Sequence, residues 1–192
     1  MAILNVYFAR NFDSYRDGFA EEWQYATSMV LMGYLGKCLS KTAFTAVDYW
    51  WDRGASYVTK FDFVCYMHSN SYKSIVANAY PQFTSALKSS TGTTVQLPSQ
   101  AVVSEVYLDK TQGDANRHLL LGNLIFHELM HNVLDATDNF VDVHKVKGGV
   151  IARNTEINPL KASDVPSAAD FEAMNKGLKR KHKIAQHTAD MP

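Results

Sequence analysis

The 192-residue chain has only two cysteines and five prolines, and its 19 basic and 19 acidic side chains cancel. Two cysteines cannot build a disulfide scaffold. Cys38 in "LGKCLSK" and Cys65 in "FDFVCYMH" lack the CxxC spacing of a zinc knuckle or redox pair, so buried thiols among apolar neighbours are expected. A balanced charge removes any overall pull toward nucleic acid or anionic lipid. The one concentration of a single sign, "KGLKRKHK", reads as a solvated helix face. No apolar run is long enough for a transmembrane helix. The opening "MAILNVYFAR" lacks the basic start and longer apolar core of a secretory signal. A soluble chain of one domain, residues 1–192, is expected, cytoplasmic in the cell that makes it. A Gly-x-Ser-x-Gly elbow and a phosphate loop are both missing; the pair Gly148–Gly149 has no following Gly-Lys-Ser/Thr and reads as a turn.

The patterning that is present suggests an α+β fold. Residues 17–40 carry Phe19, Trp23, Ala26, Met29, Val30 and Tyr34 at helical spacing, with acids early where a helix dipole favours them. The stretch 55–68 alternates, with Tyr57, Phe61, Phe63, Cys65 and Met67 on one side, and predicts a strand. Residues 72–92 look helical but must break at Pro81. "TTVQL" and "QAVVSEVYLD" predict two short strands divided by Pro98. The aromatic row Tyr49, Trp50 and Trp51 is assigned to packing. A last amphipathic helix opens at Pro166 and Ser167, with Phe171, Met174 and Leu178 inward.

The most informative segment begins near Asp114, a candidate N-cap, and runs through "NLIFHELMHNVL". It is apolar over most of its circumference, as a helix through a domain's centre must be. His127 and His131 lie four apart, on one face and about 6 Å from each other along the axis, so both imidazoles can reach one ion at about 2.1 Å. Glu128 is turned about 100° from His127, suited to take a proton from water at the metal rather than to coordinate. Two imidazoles and a carboxylate buried without partners would cost several kcal/mol, and a metal removes that cost.

"HELMH" on a central helix, preceded by the strand "SEVYLD", resembles the zincin superfamily of zinc peptidases. More narrowly, "IFHELMHN" followed by "DVH", a Gly-Gly pair and a helix opening Ser-x-x-Asp is similar to the metallopeptidase toxin domains of VgrG-type spike proteins of type VI secretion. The resemblance implies a mixed, mostly antiparallel sheet packed on the HExxH helix, a Zn2+ cofactor and a protein or peptide substrate. It implies that residues 104–109, including Ser104, Glu105, Val106 and Tyr107, form the substrate-binding edge strand, by strand addition. For a toxin it further implies secretion by a specialised system, action in a target cell's periplasm, and an immunity protein as partner.

One metal ligand beyond the two histidines is owed. The long metzincin motif fails, since Leu134 and Thr137 stand where its Gly and His would be. Asp135 lies about 12 Å along the axis from His127, too far to share an ion. Asp138, Asp142, Glu156 and Glu172 remain open. Asp170 is the preferred ligand by resemblance, although Ser167-x-x-Asp170 also has capping-box spacing. His144 is either a third histidine ligand or a catalytic group stabilising the oxyanion. His68, His118, His182 and His187 have no metal-like spacing and are read as surface or structural. The expected function is therefore zinc peptidase, with Glu128 as general base. Two alternatives are a zinc amidase acting on cell-wall peptide and a non-enzymatic domain of the same fold.

Overall fold

The computed structural model describes residues 2–10, 21–39, 44–51, 63–96, 102–134, 143–153 and 160–189. Strands β1 (Ala2–Arg10), β2 (Phe44–Trp51), β3 (Phe63–His68), β4 (Gly92–Gln96) and β5 (Val102–Tyr107) form one sheet in the order β2-β1-β3-β5-β4. The β1–β2, β1–β3 and β3–β5 pairings are parallel, and only β4–β5 is antiparallel. The sheet is thus mixed but mostly parallel, which corrects the expectation of a mostly antiparallel one. The reason lies at the N-terminus. "AILNVYFA" is a near-continuous apolar run without alternation, the pattern of a parallel strand buried on both faces.

Helices α1 (Glu21–Leu39), α2 (Ile75–Ala79), α3 (Thr84–Leu87), α4 (Arg117–Leu134) and α5 (Ala168–Ala189) complete the architecture. The main core unites Phe8 of β1, Phe63, Cys65 and Met67 of β3 and Val106 of β5 with α1, α4 and α5. Helix α4 is central: Leu121, Leu124, Ile125, Phe126, Leu129 and Met130 are all buried, as its all-round apolar sequence predicts. It is gripped closely from two sides. A Cβ on Gly122 would come within 2.5 Å of the Val30 side chain of α1, and one on Gly177 of α5 would collide with Val133. The inward face of α1 is Thr27, Leu31, Tyr34, Leu35 and Cys38; Met29, expected inside, is exposed.

The opposite face of the sheet carries a smaller cluster of Val76, Ala77 and Leu87, with Tyr80 and Val95 against it. The predicted break at Pro81 is present: α2 stops at Ala79, a 3-10 turn starts with Pro81, and α3 follows. The two strands expected around Pro98 are β4 and β5, although Pro98 itself lies outside the described residues, as do Tyr57 and Phe61. Of the aromatic row, Tyr49, Trp50 and Trp51 fall in β2, paired along β1. Asp114 accepts from the Asn116 amide (2.7 Å), just ahead of α4 rather than at its cap. No helix among the described residues is long and apolar enough to cross a membrane.

Candidate metal centre

Helix α4 presents His127 and His131 on one face, and the two Nε2 atoms stand 3.2 Å apart. Two nitrogens sharing a tetrahedral zinc at about 2.0–2.1 Å each are separated by about 3.3–3.4 Å, so the pair is already at the spacing an ion demands. The His127 ring is oriented from behind. Its Nδ1 lies 2.8 Å from the Ile151 carbonyl, a bond in which the nitrogen must donate. That fixes the proton on Nδ1 and turns the Nε2 lone pair toward His131. Burial, followed by the neighbouring His131 and His144, lowers the His127 pKa to about 3. The imidazole is neutral at physiological pH, the form that binds a metal.

His144 completes the group. The ligand atoms of His127, His131 and His144 all lie within 4.8 Å of one another, and the three side chains could hold a metal ion. Ring centroids are separated by 4.8 Å for 127 and 131, 5.2 Å for 127 and 144, and 4.8 Å for 131 and 144. His144 arrives from a 3-10 turn, Val143–Lys145. Val143 on one side, and Ile151 and Ala152 further on, are sunk in the main core, which leaves His144 facing the helix pair. The same segment therefore brings one ring to the group and the carbonyl that orients another. Of the two readings of His144, third ligand or oxyanion-stabilising group, this placement beside His127 and His131 suits the first.

Asp170 does not join it. Its Oδ2 accepts from the Ser167 amide (2.8 Å), the Ser167 hydroxyl (2.8 Å) and the Val150 amide (2.9 Å), while Ser167 Oγ accepts from the Asp170 amide (3.3 Å). The capping-box spacing has been used as a capping box, with one extra strand of chain tied in. The carboxylate is fully buried, and its Oδ1 has no hydrogen-bond partner among the described residues. Glu172 is exposed on α5. Asp135, Asp138, Asp142 and Glu156 lie outside the described residues.

Glu128, buried at 4% exposure, points its carboxylate toward the sheet. Thr94 Oγ1 of β4 donates to Oε2 at 2.6 Å, and Ser104 Oγ of β5 donates to the Glu128 carbonyl at 3.1 Å. Gly92 is required where it stands: a Cβ there would lie 2.7 Å from both Glu128 Oε1 and the Glu105 carbonyl. Asn132 continues the seam, donating to the Val102 carbonyl at 3.2 Å. These polar ties fix the rotation of α4 on the sheet, and with it the direction of both histidines.

The strand expected to lie at the edge and bind substrate is not an edge strand. Residues 102–107 form β5, an interior strand between β3 and β4, and the edge is β4. Ser104 and Val106 face α4, whereas Glu105 and Tyr107 are buried on the far face. There Glu105 accepts from Ser74 Oγ (2.5 Å), the Ile75 amide (2.7 Å) and Tyr107 Oη (3.1 Å), and sits 3.2 Å from His68 Nε2. Burial alone would raise the Glu105 pKa. The His68 hydrogen bond and charge, helped by Ser74 and the Ile75 amide, outweigh it and hold the carboxyl below its usual value. Glu105 thus caps α2 from across the sheet, with His68 buried beside it. His118 packs beside Trp23, with ring centroids 5.8 Å apart. The side chains of His182 and His187 lie outside the described set.

Thr94, Gly92 and the Ile151 carbonyl were not found by sequence reasoning. Thr94 had a weak signal, a polar residue alternating with Val95 in a short strand. A backbone carbonyl leaves none. Compared with known proteins, the chain matches no family model, no curated protein and no solved structure.

Proposed function

We propose that the chain is a zinc-dependent peptidase in which His127, His131 and His144 hold the metal and Glu128 is the general base. The observation that carries the reading is the convergence of three imidazoles whose ligand atoms lie within 4.8 Å, on a helix that also buries an acid directly after the first of them. An all-histidine set with one position left over is a donor set of catalytic zinc, whereas structural zinc closes with four protein ligands. When bound, the ion supplies Lewis acidity, polarising a carbonyl and lowering the pKa of water toward neutrality.

The protein's own groups do the rest. The Ile151 carbonyl keeps the His127 proton on Nδ1. Glu128 takes a proton from the attacking water and returns it to the departing amine, a task of general acid–base catalysis. Thr94 restrains the carboxylate against β4. That strand pairs with β5 alone among the described residues, so its outer edge can pair with an extended peptide, which would lie alongside the strand that restrains Glu128. Edge pairing through main-chain groups favours a peptide over a compact small-molecule amide.

The test separates metal from chemistry. The purified chain is expected to hold one zinc and to cleave a quenched-fluorescent peptide library. Glu128→Gln should keep the zinc and lose about 10²-fold or more in rate, the usual worth of a general base. His144→Ala should lose zinc. Full activity in Glu128→Gln, or a chain that takes up no zinc, would overturn the reading.

A further inference from the structure

We infer that Asp170 is a positioning residue for the metal centre, holding the 143–153 segment in the place where its histidine and carbonyl serve the site. The inference rests on the zinc-site reading above.

Residues 143–153 make two contributions: the His144 ring and the Ile151 carbonyl that orients His127. Both depend on the path of one short stretch of backbone that runs through two 3-10 turns, Val143–Lys145 and Ile151–Arg153. Val146 donates to the Val143 carbonyl at 3.2 Å and Gly149 to the Val146 carbonyl at 3.0 Å, each closing a single turn. Between those turns and Ile151, the Val150 amide is held by Asp170 Oδ2 at 2.9 Å. The next residue along the chain is the one that supplies the carbonyl.

The anchor is rigid for a physical reason. Oδ2 is simultaneously gripped by the Ser167 amide and hydroxyl, so the carboxylate cannot rotate without uncapping α5. The helix is itself fixed against α4 at Gly177, where there is no room for a side chain. A mechanical path therefore runs from α4 through α5 and Asp170 back to the segment that faces the α4 histidines. The fit at the clasp is close. Gly148 has φ +80°, and a Cβ added to Gly149 would strike Asp170 Oδ1 and approach the Val146 carbonyl at 3.2 Å. The Gly-Gly pair is thus the means by which this segment comes within reach of the carboxylate.

Outer groups that orient metal ligands are worth about 10–100-fold in metal affinity. Zinc alone is the probe, titrated into the metal-free chain against a chromophoric chelator, with thermal unfolding of the metal-free chain measured in parallel. Asp170→Ala is expected to weaken zinc binding by about 10–100-fold and to alter the visible bands of the Co2+-loaded chain. Ser167→Ala removes the cap hydroxyl but leaves the Ser167 amide and the Val150 link on the carboxylate; it should lower thermal stability and weaken zinc binding clearly less than Asp170→Ala does. Should Asp170→Ala not fold, Gly149→Ala decides, since it crowds the clasp while the Ser167 and Asp170 side chains and all three histidines stay in the chain; it too should weaken zinc. Unchanged zinc affinity in the folded variant, or an equal loss in Ser167→Ala, overturns the inference while wild-type zinc binding stands. A wild type that binds no zinc, or a His144→Ala chain that binds as tightly as wild type, would instead overturn the site on which it rests.

Discussion

His127 joins three demands in one side chain: it is buried, it donates from Nδ1, and it offers Nε2 to the centre of the histidine group. Its pKa, lowered to about 3 by burial and then by His131 and His144, lies below the unfolded value of about 6.5. The unfolded chain therefore binds this proton first as pH falls. Stability from the neutral ring is complete above about pH 6.5 and is lost progressively toward pH 3, at up to about 1.4 kcal/mol per pH unit. Thermal unfolding of the metal-free protein between pH 7 and 4 should show this decline, and His127→Gln should flatten it. An acid slope identical in the variant would mean that the ring is not held neutral by its surroundings. Two members of the set were legible in the sequence because a four-residue helical spacing alone brings two rings together. The third was legible only as one of two readings of His144, and Asp170 was preferred to it, since His144 stands in an irregular stretch whose path depends on contacts far along the chain. Asp170 carried two meanings at once, ligand and cap, and only the hydrogen bonds of Ser167 and Val150 distinguish them.

Among the helices, glycine has opposite meanings according to what it faces. Gly33 in α1 has nothing within 4 Å of the place a methyl would occupy, so Gly33→Ala should gain up to about 1 kcal/mol from helix propensity. Gly177 faces Val133 and Leu134 of α4, and overpacking there costs about 1–3 kcal/mol. Gly177→Ala should lose stability despite the same propensity gain. Urea unfolding of the pair should move the midpoints in opposite directions; movement in the same direction would refute the close packing of α5 on α4. Elements with a strong period or clear punctuation were readable: the α4 helix, the break at Pro81, and the inward Phe63, Cys65 and Met67 of β3. Strand β1 was not assigned because a strand inside a parallel sheet loses the alternation that marks one. Strands β3, β4 and β5 were each readable, but strand character does not give their order, so nothing revealed that β5 lies between β3 and β4 rather than at an edge.

Across the molecule, the sheet separates two buried carboxylates. Glu128 lies on the face toward α4, tied to Thr94, and Glu105 on the other, tied to His68, Ser74 and the start of α2. Charge balance over the whole sequence gives no hint of this arrangement, because the 19 acidic residues include both and most of the others can face water. Only the β5 register, which sends Ser104 to one side and Glu105 to the other, places them.

Between those carboxylates stands Cys65. Burial first, then Glu128 and Glu105, raise its thiol well above the ordinary value, and burial pushes Cys38 up to about 12. Thiolate is the form that attacks disulfide reagents, so the native chain should resist labelling at both sulfurs until the sheet and its helices part. Labelling by an aromatic disulfide reagent should then follow the rate of global opening, and a burst of colour from the folded protein would refute this. The two cysteines are a built-in clock for unfolding, readable in a cuvette.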